Sequence, residues 1–458
     1  MNSPTKLFGT AGIRGLFGKK VTAGLIIKLS QAVVKMFPNE GIIVGHDART
    51  SSESLAQYAL ATISINGAQV FDVGLCTFPV IAFMSQKPEH KIGIYITASH
   101  NPPEYNGIKL LYNGREFTEK EQNKLEKEIA LFKSILHSNW NEIKKQRKIV
   151  DANSQYFNAI IQKTNFKADN RTLIVDCANG PMSLLSPKIF SALGFNVITI
   201  NSSIDGSFPG RLAEPSRENL SVLINLCKEK GVIGIAHDGD GDRVSFIDEQ
   251  GNFIELSRVN ALLAQLSLTT KKDGIVVLSI DSSTCIDNSL NAYPVKVVRA
   301  PLGDLHTKVL ELINNGEQVV FAAEPWKPIF PLEWGLWIDG LFGAVVILKE
   351  LVEKNCSLHT RIKTIPSFFS ERRSYLVSEE NADLIFNSLK NQLTTICASY
   401  KKNVLDFDGL RFDFEDGTWI LIRKSGTEPK IRIYFEAPTK EQFKWISNIV
   451  EKLEKLIE

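Results

Sequence analysis

Three times along this chain a short apolar strand runs into an aspartate-bearing turn, a helix and a second strand. The first copy opens with Gly41-Ile42-Ile43-Val44-Gly45, reaches Asp47 and a Ser/Thr cluster, and continues as a helix from about Ser54 to Asn66. Gly67 stops that helix, and Gln69 to Val73 is the return strand. The second copy starts at Thr172-Leu173-Ile174-Val175-Asp176, has its helix over about Ser183 to Leu193 and its stop at Gly194, and returns over Asn196 to Ile200. The third starts at Gly274-Ile275-Val276-Val277-Leu278, passes Asp281-Ser282-Ser283-Thr284 and a helix, and returns over Val295-Lys296-Val297-Val298. A strand that returns through a helix pairs in parallel by a right-handed crossover. The repeat therefore predicts three similar α/β domains, with each turn at the carboxyl end of a strand. Open α/β sheets place their chemistry at those ends, and loops from all three copies can face one central cleft.

The division follows from texture. At 458 residues the chain has room for three or four domains. The three copies fall in residues 1–150, 151–252 and 253–365. Val21 to Phe37 has helical apolar spacing. Glu119 to Lys148 is charged and reads as an amphipathic helix closing the first domain, with apolar positions at Leu125, Ile129, Phe132 and Ile135. After about Pro366 come a strand near Arg372 to Val377, a helix through Ala398, strands with turns at Asp408-Gly409 and Asp416-Gly417, and a helix over about Lys440 to Leu456. Residues 366–458 read as a smaller α+β domain with an antiparallel sheet.

Composition excludes several function classes. Net charge is +2 with both signs well mixed, so no basic field attracts nucleic acid or an anionic membrane. Met1 to Gly15 has no apolar core of a signal peptide. The nearest thing to a membrane span, Leu341 to Leu348, is far too short. The six cysteines form no C-x-x-C pair, which favours buried free thiols in a reducing compartment. The expectation is a cytoplasmic enzyme or binding protein, a monomer or homodimer, with a small-molecule partner.

Four stretches, together with a glycine-rich amino-terminal segment, carry candidate chemistry. Ile92-Gly93-Ile94-Tyr95-Ile96 is a strand, and Asn101-Pro102-Pro103 blocks any helix after it. Ser99 and His100 thus sit on a rigid loop at a strand's carboxyl end, where a serine is a candidate nucleophile. In His237-Asp238-Gly239-Asp240-Gly241-Asp242-Arg243, three carboxylates at alternate positions can converge on one hard cation. An EF-hand fails here, because Arg243 stands where that loop needs glycine and strands rather than helices flank it. Partial protein coordination suits Mg²⁺, with phosphate and water completing the shell. In Arg423-Lys424-Ser425-Gly426-Thr427-Glu428-Pro429-Lys430-Ile431-Arg432, two arginines flank a hydroxyl-rich turn between strands, a nest for phosphate. In Ala322-Ala323-Glu324-Pro325-Trp326-Lys327-Pro328, Glu324 can accept hydrogen bonds from hydroxyls, and Trp326 either stacks on a sugar ring or packs internally. The amino-terminal Phe8-Gly9-Thr10-Ala11-Gly12-Ile13-Arg14-Gly15 lets backbone approach a ligand, and Arg14 can grip phosphate. A serine hydroxyl beside a cation site, with a separate phosphate anchor, points to phosphoryl transfer on a substrate that already carries phosphate.

These residues resemble the α-D-phosphohexomutase family, which includes phosphomannomutase/phosphoglucomutase and phosphoglucosamine mutase. The resemblance runs in order over the whole chain, through Thr97 to Pro102 with Tyr105-Asn106-Gly107-Ile108-Lys109, Asp238 to Arg243, and Arg423 to Arg432. It implies three α/β domains and a smaller fourth around a cleft. It implies that Ser99 carries a phosphate and, with Asp238, Asp240 and Asp242, binds Mg²⁺. The phosphoryl group would pass to a hexose monophosphate, and the resulting hexose 1,6-bisphosphate, also the activator, would reorient and return its other phosphate. Lys109 and Arg243 would stabilise the transferring group. Lys109 is the general-base candidate if Mg²⁺ and arginines lower its pKa, His100 is a weaker acid–base candidate that can also simply orient the loop, and Arg14 matches the family's arginine near the serine. Arg423, Ser425, Gly426, Thr427 and Arg432 would hold the substrate's standing phosphate.

Two departures bear on substrate. Where the family's sugar loop reads Gly-Glu-x-Ser-Gly-His, this chain keeps Glu324 but has Trp326 and Pro328 at the serine and histidine places, with Lys327 between them. Where some members have Gly-His, this chain has Gly303-Asp304, and Asp304 is the candidate for that polar role. Glucose and mannose phosphates are the expected substrates, with glucosamine phosphate as the alternative. A metal-dependent sugar phosphatase and a silent sugar-phosphate-binding protein are the readings from other classes.

Overall fold

The computed structural model describes residues 7–9, 12–132, 137–269, 273–378, 380–425 and 430–457. These group into two compact units, one built from residues 1–254 and 326–361, the other from 255–325 and 362–458.

The first unit holds two sheets. In one, Ile42–His46 is central and pairs in parallel with Val70–Leu75 and Ile92–Ile96. Tyr105–Tyr112 then runs antiparallel to Ile92–Ile96 and to Ile13–Leu16. Ile92–Ile96 is buried at every position, as a strand covered on both faces must be. Helices Ala23–Met36 and Ser52–Ile65 pack their apolar sides onto this sheet, and Ile26, Leu29, Val33, Leu55, Leu60 and Ile63 join its core. The second sheet has Thr172–Asp176 in parallel with Asn196–Ile200 and Ile233–His237, which turns back antiparallel as Val244–Ile247. Lys327–Phe330 and Gly335–Ile338 form a hairpin leading into helix Gly340–Glu353, whose Leu341–Leu348 run is buried at every position but Val346.

The second unit carries Gly274–Ser279 in parallel with Val295–Ala300 and Val319–Glu324. Its other sheet is antiparallel, in the order Phe369–Leu376, Lys430–Ala437, Trp419–Lys424, Leu410–Phe414, Lys402–Leu405. Helices Ala382–Ile396 and Lys440–Glu454 cover it, with Leu389, Leu393, Ile446 and Val450 buried against Ile420, Ile422 and Ile433. The chain is thus three α/β domains and a smaller carboxyl-terminal α+β domain. Cys76, Cys177, Cys227, Cys285 and Cys397 are buried free thiols and Cys356 is half-buried. No described helix is long and apolar enough to cross a membrane.

Two helices differ from the sequence reading. The segment expected to be helical from Glu119 to Lys148 is helical only over Glu119–Leu131, and Phe132 is extended. Ile135 lies outside the described residues. The backbone beyond is claimed by other elements: the amides of Ser138 and Lys144 donate to the carbonyls of Ile65 and Ser64, and Ile149 donates to Asp72. Carbonyls at the end of Ser52–Ile65 have no partner within their own helix, and this segment supplies donors to them. The helix expected over Ser183 to Leu193 is split into a 3₁₀ turn, Pro181–Leu184, and a short helix, Ser186–Ala192, with Pro187 in its first turn.

Candidate active site

Ser99 leaves its strand in a left-handed conformation, φ +50°. That is unfavourable for a side chain with a Cβ and persists only where surroundings impose it. Here they do. The Ser99 amide donates to Thr97 Oγ1 at 2.8 Å. Arg49, fully buried, donates to the carbonyls of Ser99, Asn101, Pro102 and Tyr105 at 2.8, 2.6, 2.5 and 3.1 Å. Its Nε donates to Asp47 Oδ2 at 3.1 Å. Asp47 also accepts from Ser52 Oγ at 2.5 Å and Thr97 Oγ1 at 2.7 Å. Arg49 thus ties the whole serine loop to the turn after Ile42–His46. Sequence reading noted Asp47 but passed over Arg49; the pointer was an Asp-x-Arg in a turn at a strand's carboxyl end.

The Asp238–Asp242 loop joins the antiparallel strands Ile233–His237 and Val244–Ile247. Asp238 Oδ1 accepts the amides of Gly241 and Arg243, at 3.0 and 3.1 Å, which fixes the side chain. Its Oδ2 accepts from Ser99 Oγ at 2.7 Å. A Cβ on Gly239 would stand 2.5 Å from the Ser99 carbonyl oxygen, so only glycine lets the two loops meet this closely. Lys109 Nζ lies 3.0 Å from Asp240 Oδ2 and donates to Asp242 Oδ2 at 2.6 Å. Carboxylate oxygens of Asp238, Asp240 and Asp242 lie within 4.8 Å of one another, and all three residues are buried.

One ammonium does not neutralise three carboxylates. Burial and the repulsion of Asp240 and Asp242 push the Asp238 carboxyl well above its usual range. Burial has the same sense at Asp242, but Lys109, Lys327 and Arg243 overcome it and hold that carboxyl below the usual range. Asp240 Oδ1 and Asp242 Oδ1 are buried with no hydrogen-bond partner among the described residues. Two orphaned oxygens, in a set of three hard oxygen ligands, fit a small divalent cation.

The cations around Ser99 differ in state. Burial disfavours the Lys109 charge, but Asp240 and Asp242 outweigh it and raise its pKa above the ordinary value. The lowered pKa expected of a general base is therefore not found here. His100 Nδ1 lies 3.4 Å from both Ser99 Oγ and Arg14 Nη1. Burial, with Arg243, Arg14 and Lys327 adding to it, drives the His100 pKa far down, so the ring is neutral. Arg14 also approaches Asn101 Oδ1 at 3.3 Å, while its Nε and Nη2 find no partner among the described residues. Arg243 Nη1 donates to Glu214 Oε1 at 3.0 Å. The first unit therefore gathers Ser99, His100, Arg14, Lys109, the three aspartates and Arg243, with the charge of Lys327 acting on Asp242 and His100. Trp326 joins them by packing on Arg243, 5.2 Å from guanidinium carbon to ring centroid.

The remaining candidates belong to the second unit. Glu324 is buried, and its Oε1 accepts the Gly303 amide at 2.6 Å. Asp304 stands at the N-cap position of helix Leu305–Asn314, and its Oδ1 accepts from the Thr307 hydroxyl at 2.5 Å rather than from a helix amide. Arg423 and Arg432 stand directly opposite on antiparallel strands. Like charges so placed repel unless an anion intervenes. Asp408 Oδ1 takes Arg423 Nε at 2.9 Å, and the Ser425 amide donates to the Lys430 carbonyl at 2.8 Å to close the hairpin neck. Gly426 and Thr427 lie outside the described residues.

Residues 5–134 match the family model for phosphoglucomutase/phosphomannomutase α/β/α domain I, residues 154–251 that for domain II, and residues 388–452 that for the C-terminal domain. The chain is 36% identical over 460 residues to a phosphopentomutase of Thermococcus kodakarensis, covering 98% of this chain and 100% of that one. It is likewise 36% identical over 463 residues to a probable phosphoglucosamine mutase of Pyrococcus abyssi, covering 99% and 98%. A crystal structure of a phosphoglucomutase/phosphomannomutase family protein from Burkholderia thailandensis superposes with a TM-score of 0.84 at 24% identity, covering 99% and 98%. The N-acetylphosphoglucosamine mutase of Aspergillus fumigatus, solved with GlcNAc-6P and magnesium, superposes with a TM-score of 0.60 at 15% identity, covering 99% and 96%. The chain belongs to the α-D-phosphohexomutase family, the phosphoglucomutase/phosphomannomutase group of isomerases that work as intramolecular phosphotransferases.

Proposed function

We propose that this enzyme interconverts the 1- and 6-phosphates of glucose or mannose through phospho-Ser99 and a hexose 1,6-bisphosphate. The observation that carries the reading is Ser99 Oγ at 2.7 Å from Asp238 Oδ2, beside two orphaned carboxylate oxygens and a buried lysine. Ser99 is the phosphate carrier: its O–P bond breaks as a sugar hydroxyl forms a new one, and the bisphosphate's other O–P bond then breaks as its phosphoryl group passes back to Ser99. Asp238, Asp240 and Asp242, with Ser99, would hold Mg²⁺, which when bound supplies charge neutralisation at the transferring phosphoryl group. Lys109 and Arg243 stabilise that group from the protein side, and the unpartnered nitrogens of Arg14 offer it further donors. Lys109 can take the hydroxyl proton only once its carboxylate partners are engaged elsewhere, because they hold it protonated. His100, neutral and wedged between Ser99 and Arg14, orients the loop. Arg423, Ser425, Gly426, Thr427 and Arg432 bind the phosphate that is not being transferred, while Glu324 and Asp304 serve the sugar. Hexose 1,6-bisphosphate is the activator that charges Ser99.

We also propose the four-domain division at 1–150, 151–252, 253–365 and 366–458; the matched family segments each fall inside one of these spans.

Two other sugars are specific alternatives. The Pyrococcus relative's name points to glucosamine phosphate, and the Thermococcus relative's to a pentose phosphate. The turn of Trp326 toward Arg243 and away from a free stacking role favours a substrate that needs little from that residue. Both relatives are named mutases, which weighs against a phosphatase. The test is turnover with glucose, mannose, glucosamine and ribose 1-phosphates, each with Mg²⁺ and a catalytic amount of the matching bisphosphate. Turnover of glucose or mannose 1-phosphate above the others supports the proposal. Turnover of none of the four, or release of inorganic phosphate in step with substrate, overturns it.

A further inference from the structure

Trp326 sits at φ +67°, where a bulky side chain is an outlier held by its surroundings. Two interactions tie its indole to the Arg243–Ser245 stretch. The indole Nε1 donates to Ser245 Oγ at 3.2 Å, and the buried Ser245 hydroxyl donates in turn to the Pro215 carbonyl at 2.7 Å. So pinned, the indole presents a face to the Arg243 guanidinium, whose central carbon lies 5.2 Å from the ring centroid. A guanidinium over an indole gains cation–π attraction and loses access to water. The Arg243 side chain is only 9% exposed, while Glu214, its ion-pair partner, is 37% exposed. Without the ring, Glu214 is free to draw the guanidinium toward solvent. With it, Arg243 Nε stays 4.0 Å from Asp238 Oδ2, the oxygen that also accepts from Ser99 Oγ, and has no hydrogen-bond partner among the described residues. The next residue, Lys327, is buried and also turns its charge toward the transfer site, at Asp242 and His100.

We infer that Trp326 is a positioning residue for phosphoryl transfer: its indole face holds the Arg243 guanidinium beside Asp238, and its bulk gives no grip on the sugar's ring hydroxyls. This deepens the mutase reading and rests on it. A sugar contact and a guanidinium buttress predict opposite kinetics. Loss of a sugar contact changes the discrimination between epimers. Loss of the buttress lowers turnover of every sugar alike, because the interaction is made with the transferring group.

The test uses the full-length protein with Trp326→Gly and Trp326→Phe, assayed on glucose 1-phosphate and mannose 1-phosphate with Mg²⁺ and the matching bisphosphate. Glycine relieves the positive-φ strain but forfeits the indole's packing and its hydrogen bond to Ser245, so Trp326→Gly should stay folded with a modestly lower melting temperature. Its kcat should nonetheless fall about tenfold or more, in the manner of losing one preorganised donor. KM should stay within about threefold, and the ratio of kcat/KM for the two epimers within about twofold. Trp326→Phe keeps a ring face and should retain the larger share of kcat. Either a changed epimer ratio in Trp326→Gly or an unchanged kcat overturns the inference. So does a kcat in Trp326→Phe as low as that of Trp326→Gly. Failure of the mutase reading is distinguishable, since it shows as no turnover by the unsubstituted protein, and it overturns the inference with it.

Discussion

The serine loop is clamped by one side chain, and Arg49→Lys measures what that clamp is worth. Arg49 makes five side-chain hydrogen bonds, one to Asp47 and four to the carbonyls of Ser99, Asn101, Pro102 and Tyr105. Lysine keeps the charge but has three donors, so at least two acceptors lose their partner. Arg49 and Asp47 are wholly buried, so solvent does not discount the loss. Hydrogen bonds from a charged donor contribute about 1.5–3 kcal/mol each, which puts the loss at about 3–6 kcal/mol of loop order. Ser99 is also released from its left-handed backbone, a conformation that costs about 1–3 kcal/mol and has no reason to persist unclamped. If about 3 kcal/mol of this reaches the transition state, kcat drops about 100-fold. Steady-state kinetics would report that drop, and intact-mass analysis after incubation with bisphosphate would report reduced phosphorylation of Ser99. A variant that is fully folded and within twofold of normal turnover would refute the reasoning, because it would show that the loop holds its geometry without the fork.

Other outcomes follow from the same site. Ser99→Ala should abolish turnover while sugar phosphate binding, followed by calorimetry, survives; retained turnover would remove Ser99 from the mechanism. Mg²⁺ at 100 times its dissociation constant should stabilise the fold by about 2.7 kcal/mol, read as a shift in thermal unfolding. Asp240→Asn should shrink that shift, and an equal shift in both proteins would show that the ion binds elsewhere. Burial lowers the His237 pKa to about 4, below the roughly 6.5 of an unfolded histidine. Between these values the unfolded chain binds more protons than the folded one, so this residue's contribution to stability declines as pH falls from about 6.5 to about 4. His237→Gln should flatten the dependence of the urea midpoint on pH in that window, and an unchanged slope would assign the acid sensitivity to other groups.

How much of this was legible depended on how local each cause is. Strands such as Ile42–His46 and Thr172–Asp176 announce themselves through consecutive apolar residues and a nearby glycine or aspartate. Asp238, Asp240 and Asp242 lie so close in sequence that their convergence needs only a tight loop. The end of the helix at Leu131 could not be read the same way, since it is set by carbonyls at Ser64 and Ile65, far back in the chain. Arg49 was passed over because its acceptors span residues 47 to 105 and meet only when strands pair. The charge on Lys109 turns on which neighbours come within 3.0 Å, and the two carboxylates there reverse the direction expected from cations alone. Two readings of Trp326 were open in sequence, because its contacts with Arg243 and Ser245 lie about eighty residues back in the chain.

The aspartate loop has one further property, which comes from its backbone. Phe78 donates its amide to the Asp240 carbonyl at 2.9 Å, Gly340 donates to the Asp242 carbonyl at 3.1 Å, and Gly239 abuts the Ser99 carbonyl with no room for a methyl group. Three separate stretches of chain thus fasten the loop along its length. A platform bolted in this way cannot tilt or slide to meet first one end of a sugar and then the other. In the proposed mechanism both half-reactions would then be played on the same fixed stage, and the doubly phosphorylated sugar would be the molecule that pivots between them.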